Sequence, residues 1–309
     1  MPTALPSDTP PRLAGIELGG TKAIAVMAEG ARLIDRLVVP TTTPDATLGA
    51  LVEQIARWDE AAGIAALGIA SFGPIRLAAG ASDRGQILAT SKPGWSGAPV
   101  LATFANRFPV PIAIDTDVNG AALAEHRWGA GVDCASLVYV TIGTGIGGGV
   151  VVEGRSLKGR LHPELGHIRL RRGPSDGFAG NCPFHGDCIE GLLSGPALAA
   201  RFGGPAENVP ADDPRWDPVA SDLAEFIAVI VHSFSPEKLL IGGGVGLGVP
   251  HLLPRALAEL PDILGGYYPD LDNAALAAMI TAPALGADAG PLGAIALAED
   301  ALRLQTIAY

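Results

Sequence analysis

The sequence is poor in cysteine, in positive charge and in long apolar runs. Three cysteines among 309 residues are too few for a disulfide framework, so a reducing cytoplasm fits best. A formal net charge of −11 argues against a nucleic-acid-binding surface, which needs a basic field. Nowhere do about 18 apolar residues run without interruption, as a membrane span requires, and the N-terminus lacks the apolar core of a signal peptide. We therefore expect a cytoplasmic protein without nucleic-acid or membrane partners.

Apolar residues and glycine, by contrast, are abundant. A hydrophobic content of 48% beside 17% charged residues is typical of a globular protein. A chain of this length suits two domains better than one core. We expect a disordered, proline-rich lead-in over 1–11, a small N-terminal α/β domain over 12–117 and a larger C-terminal α/β domain over 118–309. The last helix is a candidate to pack back on the N-terminal domain.

Cysteine and histidine are concentrated in a loop over 162–190. Cys182, His185 and Cys188 follow a C-x2-H-x2-C spacing, and His167 lies fifteen residues before the first of them. Thiolates and imidazoles are the ligands that zinc prefers, and four of them close a tetrahedral structural site. The alternative is two buried thiols and a surface histidine in a glycine-rich loop. The spacing favours zinc.

Two strand–turn–strand patterns carry glycine and threonine at their tips. The tip residues are Gly19, Gly20, Thr21 and Lys22 in the first hairpin, and Thr141, Gly143, Thr144 and Gly145 in the second. Unhindered backbone amides, hydroxyls and a cation suit the phosphates of a nucleotide, although a Gly-Gly turn by itself is common. The second hairpin also matches G-x-G-x-x-G, but it leads into β-branched residues and not into a helix, so a dinucleotide fingerprint is rejected. Two such hairpins in one chain indicate phosphate binding more strongly than either alone.

Three further segments place candidate residues at the ends of apolar strands. Asp117 lies between a strand and a helix, where it suits either catalysis or an ordinary N-cap, and Asn119 is close by for substrate hydroxyls. Gly73 ends another buried strand and lets the backbone approach a ligand. A third strand is followed by glycines that either admit a nucleotide or form a plain turn, namely Gly242, Gly243 and Gly244.

Apolar periodicity predicts the longer elements. Helices are expected over 44–58, 218–234 and 290–304, where apolar residues recur at helical spacing. The segment 275–285, ALAAMITAPAL, is expected to form the last strand.

These motifs resemble those of the ROK family of sugar kinases, in the actin/hexokinase-like ATPase superfamily. The resemblance runs from Ala14 to about Leu302 and is carried by GIELGGTK, DTDVNGAALAE, TIGTGIGGG, HPELGH, CPFHGDCIEG and LLIGGGV. It implies an α/β fold of two ribonuclease H-like domains, each on a five-stranded sheet, with ATP and sugar in the cleft between them. No helix-turn-helix precedes the first hairpin, so we do not expect one of the family's transcriptional repressors.

Within the family, the sequence looks like the bacterial fructokinase branch. C-x2-H-x2-C replaces the C-x-C-G-x2-G-C of most members, and the KPGW stretch over 92–95 points the same way. The resemblance implies ATP-dependent phosphorylation of D-fructose to fructose 6-phosphate, with Mg²⁺ accompanying ATP, a structural zinc, and a homodimer as a frequent assembly. The alternatives are another hexose (mannose, glucose or an N-acyl hexosamine) and a sugar-sensing protein without turnover.

The resemblance also implies roles for single residues. Asp117 matches the base that takes the proton from the sugar's primary hydroxyl. Sugar binding is matched to Glu164 and His167. Asn119, beside the base, and Gly73, at its strand end, are the further sugar contacts that we expect. The two hairpins match the phosphate-binding turns, and the remaining nucleotide contacts are expected from Pro196, Gly242, Gly243 and Gly244. Glu17 stands where the wider family has aspartate, and Thr116 where many hexose kinases have asparagine.

Overall fold

A computed structural model of the chain describes residues 10–173 and 176–307, so most of the lead-in expected over 1–11 lies outside the described residues. The strands are β1 (Arg12–Leu18), β2 (Lys22–Glu29), β3 (Arg32–Pro40), β4 (Ala66–Ser71), β5 (Ile112–Thr116), β6 (Ser136–Ile142), β7 (Ile146–Val152), β8 (Arg155–Ser156), β9 (Lys238–Gly242) and β10 (Ile280–Thr281). The helices are α1 (Pro44–Ala62), α2 (Val100–Ala105), α3 (Asp117–Trp128), α4 (Ile189–Leu193), α5 (Gly195–Phe202), α6 (Trp216–Phe234), α7 (Gly243–Gly248), α8 (Leu252–Leu264), α9 (Asn273–Met279) and α10 (Ala289–Ile307).

The strands form two five-stranded sheets with the same connectivity. The first sheet has the order β3-β2-β1-β4-β5, and the second has the order β10-β9-β6-β7-β8. In each sheet the first three strands in sequence pair antiparallel, and two later strands add in parallel beside the first of them. The expected α/β fold with two ribonuclease H-like sheets is confirmed.

The chain divides into two compact units. The described residues of the first unit fall within Met1–Trp128, Lys158–His162 and Ala287–Tyr309, and those of the second fall within Gly129–Leu157 and Pro163–Gly286. This division differs from the boundary expected at residue 117, because α3 belongs to the first unit. The reason is that α3 packs on α10, which also belongs there.

Helix α10 approaches the first sheet unusually closely because glycines line the contact. A Cβ at Gly68, on β4, would lie 1.8 Å from the carbonyl oxygen of Ala294 on α10. A Cβ at Gly293 would lie 2.2 Å from the carbonyl carbon of Gly120 on α3. These positions therefore exclude any side chain unless α10 moves. On the same unit α1 packs against the sheet, with Leu51 among its buried residues.

The core of the second unit is built around α6. Its buried Trp216 meets Phe202 of α5 edge to face, with ring centroids 4.6 Å apart. The helix expected over 218–234 is confirmed and begins two residues earlier. The strand expected over 275–285 is wrong in its first half, which is α9, since Asp272 caps that helix by accepting a hydrogen bond from the backbone nitrogen of Ala275 at 2.8 Å.

Among the described residues, no helix combines the length and the hydropathy that a bilayer span requires.

Candidate functional site

Several predicted site residues of the first unit emerge at one edge of its sheet. The strands β1, β4 and β5 run parallel, and their last residues, Leu18, Ser71 and Thr116, are register partners. The first hairpin, Gly73 and Asp117 follow these three strand ends directly. Ligands of parallel α/β sheets bind outside the carboxyl ends of the strands. The structure therefore brings these three elements together at the edge where a ligand is expected.

Asp117 is the first residue of α3 and not its cap. The hydroxyl of Thr116 accepts a hydrogen bond from the backbone nitrogen of Asn119 at 3.1 Å, which is the usual bond of an N-cap side chain. The carboxylate of Asp117 accepts one from the backbone nitrogen of Val118 at 2.9 Å. Capping is thus supplied by Thr116, and the ordinary explanation for an aspartate at this junction does not apply.

Two carboxyl groups at this edge have raised pKa values. Burial raises the pKa of Asp117 to about 6, against the opposing effect of the hydrogen bond from Val118. Burial, followed by the charge of Asp117, raises the pKa of Glu17 to about 7. A carboxyl group whose pKa lies near neutrality can both accept and release a proton under physiological conditions.

Asn119 is buried beneath this edge. Its Nδ2 donates to Oδ1 of Asp115 at 2.8 Å. Its Oδ1 is buried and has no hydrogen-bond partner among the described residues. Buried amide oxygens are normally paired, so this one is available to a donor from a ligand or water.

The first hairpin turns its carbonyl groups toward the protein. The carbonyl of Gly19 accepts from the hydroxyl of Thr41 at 2.8 Å, and that of Thr21 accepts from the backbone nitrogen of Thr41 at 2.9 Å. The carbonyl of Gly20 accepts from Nζ of Lys92. Because the N–H and C=O of a trans peptide point in opposite directions, the amides that follow these carbonyls point the other way. The tip therefore offers N–H groups to an anion.

In the second unit, three of the predicted nucleotide-binding elements meet. The backbone nitrogen of Gly195, which precedes Pro196 at the start of α5, donates to the carbonyl of Gly143 at 2.7 Å. A Cβ at Gly243 would lie 2.4 Å from the carbonyl oxygen of Ile142, so α7 begins directly against the second hairpin.

The second hairpin itself joins β6 to β7 through a three-residue turn, with Thr141 the register partner of Gly242. The rejection of a dinucleotide fingerprint is confirmed, because the G-x-G-x-x-G run ends within a strand.

Sequence reasoning missed Glu190, which holds this hairpin. Its Oε2 accepts a hydrogen bond from the backbone nitrogen of Ile146 at 3.0 Å. A Cβ at Gly145 would lie 2.8 Å from the same oxygen. The signal was the motif CPFHGDCIEG, which contains Glu190 two residues after Cys188. The contact links the cysteine-bearing loop to the hairpin.

The four predicted metal ligands come together in the second unit. One ligand atom from each lies within 4.8 Å of the others, in His167, Cys182, His185 and Cys188. Nδ1 of His167 is 3.8 Å from Sγ of Cys182 and 3.6 Å from Sγ of Cys188. Bonds of about 2.3 Å to sulfur and about 2.0–2.1 Å to nitrogen in a tetrahedron separate sulfur from nitrogen by about 3.5 Å. The side chains therefore fit a tetrahedral metal ion of this kind.

A tight turn presents two of these ligands. The backbone nitrogen of Cys182 donates to the carbonyl of Gly186 at 3.1 Å, and the reverse bond is 2.9 Å. Gly186 has φ of 65°, which glycine adopts without strain. Burial, and then the neighbouring Cys182, raise the pKa of the Cys188 thiol to about 11. Thiolate ligands here need a cation beside them, so metal binding is coupled to proton release.

Glu164 lies at the start of the same loop. A 3-10 turn, Leu165–His167, begins directly after Glu164 and ends at His167 of the metal cluster. The carbonyl of Glu164 accepts from the backbone nitrogen of His167 at 3.1 Å. Leu165 is buried against β7, where a Cβ at Gly148 would lie 2.4 Å from it. The turn therefore sets Glu164, which is exposed, at a fixed spacing from His167.

The chain is similar to known proteins over most of its length. The sequence model described as "ROK family" matches residues 13–301. A fructokinase from Zymomonas mobilis is 41% identical over 291 residues, which is 92% of this chain and 95% of the relative. The solved ROK hexokinase of Thermus thermophilus is 31% identical, covers 96% of this chain and 99% of its own, and has a TM-score of 0.75. A ROK family glucokinase of Streptomyces griseus, solved with glucose and AMPPNP, is 25% identical, covers 94% of this chain and 99% of its own, and has a TM-score of 0.71.

Proposed function

The chain belongs to the ROK family, and from that premise we propose that it transfers the γ-phosphoryl group of ATP to the primary hydroxyl of D-fructose, giving fructose 6-phosphate. The similarity to the fructokinase of Zymomonas mobilis over nearly all of both chains supports fructose as the substrate. The observation that carries the chemistry is the carboxyl group of Asp117, with a pKa of about 6, at the same sheet edge as the first phosphate hairpin.

Asp117 is the proposed general base. A pKa of about 6 leaves the carboxylate ionised at neutral pH, yet more basic than an ordinary aspartate, so it can accept the proton of the attacking hydroxyl. A well-placed base contributes about 10²–10⁴ to the rate. Because phosphoryl transfer passes through a loose transition state, the placement of hydroxyl and phosphate contributes more than the base does.

The two hairpins are the proposed phosphate contacts. The outward N–H groups of the first hairpin and the cation of Lys22 suit the terminal phosphates, and Mg²⁺ accompanying ATP neutralises further charge. In the second unit Thr141, Gly143, Thr144 and Gly145 form the second contact, supported by Pro196 and by Gly242, Gly243 and Gly244. The AMPPNP bound to the related glucokinase supports ATP as the donor.

The hexose contacts are proposed residue by residue. In the first unit they are Gly73, through its backbone, and Asn119, through its unpaired Oδ1. In the second unit they are Glu164 and His167. Nδ1 of His167 faces the two cysteine sulfurs, so the ring's other nitrogen, Nε2, is the one left for a sugar hydroxyl.

Zinc is the proposed ion for the cluster of His167, Cys182, His185 and Cys188. Bound there, it supplies structural cross-linking of the loop rather than reaction chemistry, since four protein ligands fill a tetrahedral ion. The bound ion fixes the imidazole of His167, and the turn after Glu164 fixes its carboxylate, so that both side chains contact the sugar.

A sugar panel tests the proposal. Release of ADP is followed by a coupled assay with fructose, glucose, mannose and N-acetylated hexosamines at matched ATP. We expect the highest kcat/KM with fructose. A higher kcat/KM with glucose would show that the protein is a different ROK hexokinase and not a fructokinase. The structural similarity to a ROK hexokinase and to a ROK family glucokinase is the reason for testing this alternative.

Two further proposals follow from family membership. A cytoplasmic location is supported by the use of ATP and by a cysteine content too low for a disulfide framework. A homodimer is testable by light scattering of the purified protein.

A sensor without turnover would bind hexose and release no ADP in the same panel.

A further inference from the structure

A short segment that leads into the loop over 162–190, Lys158–His162, belongs to the first unit. Its first residue has no role in the motifs that carry the family resemblance. One end contacts the strand that leads into the helix of Asn119, and the other end contacts the loop that contains Gly73.

At one end, Lys158 reaches a buried carboxylate. Its Nζ lies 2.8 Å from Oδ2 of Asp115, whose side chain is 0% exposed. The other oxygen of Asp115 accepts from Nδ2 of Asn119 at 2.8 Å and from the backbone nitrogen of Thr116 at 2.8 Å. The side chain of Lys158 is half-exposed, and its ammonium group brings a compensating positive charge to this buried carboxylate beside the proposed sugar site.

The carboxylate determines which way the amide of Asn119 faces. An ionised carboxylate only accepts hydrogen bonds, so Asn119 must present its NH2 group to Asp115. Its Oδ1 is then left buried and unpaired. Lys158 faces Oδ2 of Asp115 and the backbone nitrogen of Thr116 donates to Oδ1, so both carboxylate oxygens act as acceptors in this arrangement. The cation of Lys158 therefore favours the orientation in which Oδ1 is free to accept.

At the other end, His162 holds the loop after β4. Its Nε2 accepts a hydrogen bond from the backbone nitrogen of Ile75 at 3.2 Å. Ile75 lies two residues after Gly73, whose backbone is a proposed hexose contact. The segment thus contacts the surroundings of Asn119 at one end and those of Gly73 at the other.

We propose that Lys158–His162 is a brace that determines hexose affinity, with Lys158 a positioning residue that acts through Asp115 to aim Oδ1 of Asn119 at a hydroxyl of the hexose. His162 restrains the Gly73 backbone in the same way. This inference deepens the proposed function and rests on it.

The test compares Lys158→Met with Lys158→Arg and with Lys238→Met as a matched control. Lys238 is also paired through Nζ to a neighbour, the carbonyl of Ala278, in the second unit. Loss of one hydrogen bond to a ligand weakens affinity by about 3- to 10-fold. We expect Lys158→Met to raise KM for the hexose by that factor with KM for ATP unchanged, Lys158→Arg to restore it in part, and Lys238→Met to match the native enzyme.

A series of monodeoxy hexoses gives a readout that general destabilisation would not move. One deoxy sugar, lacking the hydroxyl that meets Asn119, should bind the native protein more weakly and show no additional loss with Lys158→Met. Equal KM values for Lys158→Met and the native enzyme, or parallel losses for hexose and ATP, would overturn the brace. If the native protein releases no ADP with any hexose, the proposed function fails, and calorimetric hexose binding then decides the brace: weaker binding by Lys158→Met supports it and equal binding rejects it.

Discussion

Glu17 lies within electrostatic reach of Asp117. Burial, and after it the charge of Asp117, raise the pKa of Glu17 to about 7, while Lys22 and Arg36 act in the opposite direction. Since the pKa of Asp117 is about 6, Asp117 loses its proton first as the pH rises. The site therefore gains its negative charges in sequence across neutral pH.

The first prediction concerns the pH profile. We expect kcat/KM for the hexose at saturating ATP to rise with pH, with a midpoint at about 6, because only ionised Asp117 accepts the hydroxyl proton. Glu17→Gln should leave this midpoint in place, since Glu17 is still protonated where Asp117 titrates. A profile that stays level down to about pH 4.5, below this midpoint, would contradict Asp117 as the base.

The second prediction is that replacement of Asp117 lowers kcat and raises the stability of the folded protein at neutral pH. Asp117→Asn is expected to lower kcat by about 10²–10⁴ while hexose still raises the melting temperature. Because the folded pKa of Asp117 lies above its usual 3.8, the folded state binds that proton more tightly, and the resulting stability is lost as the pH rises from about 4 to about 6.

Asp117→Asn should therefore stabilise the protein at pH above about 7 by on the order of 1–2 kcal/mol, a figure reduced for partial solvent access. Urea unfolding near pH 7.5 and near pH 4 measures this, and the difference should vanish at the lower pH. A stability loss at the higher pH would show that the carboxylate is paired and not merely buried.

The third prediction concerns the metal cluster. Cys182→Ser should abolish binding of about one zinc per chain, lower the melting temperature and weaken hexose binding, because metal-binding energy in a structural site contributes to folding. Cys134→Ser is the matched control, since Cys134 lies outside the four-residue cluster. Elemental analysis and a chelator titration monitored by melting temperature check both variants. Equal zinc content in the two would refute the ligand assignment.

The fourth prediction concerns the contact of α10 with the first sheet. Gly68→Ala places a Cβ against the backbone of Ala294, and overpacking of this kind costs about 1–3 kcal/mol or more. Gly49→Ala, within α1, meets no atom within 4 Å and should stabilise the protein by up to about 1 kcal/mol. Chemical unfolding of both variants gives the comparison, and equal stabilities would show that α10 shifts freely.

Sequence reasoning reached the features that are local in the chain. The four clustered cysteine and histidine side chains lie within one loop, and each hairpin turn carries two glycines, so spacing alone indicates that these groups lie close together. The prediction of a strand over 275–285 was wrong in its first half because an apolar run does not distinguish a strand from a helix. The capping carboxylate of Asp272 lies just before the run and would have indicated α9.

Lys158 could not have been identified from its neighbours in sequence. Its proposed role depends on a partner, Asp115 on β5, that only the fold brings next to it. The same holds for Glu190, whose bond to Ile146 joins segments far apart in the chain. Polar contacts between distant segments carry no periodicity and no spacing, so only tertiary structure reveals them.

The position of α10 has a consequence for how the protein is made. Its contacts with β1, β4 and α3 complete the first unit, yet it follows every residue of the second unit along the chain. During translation, the unit that is started first therefore keeps its glycine-lined surface open until the whole of the second unit has been synthesised.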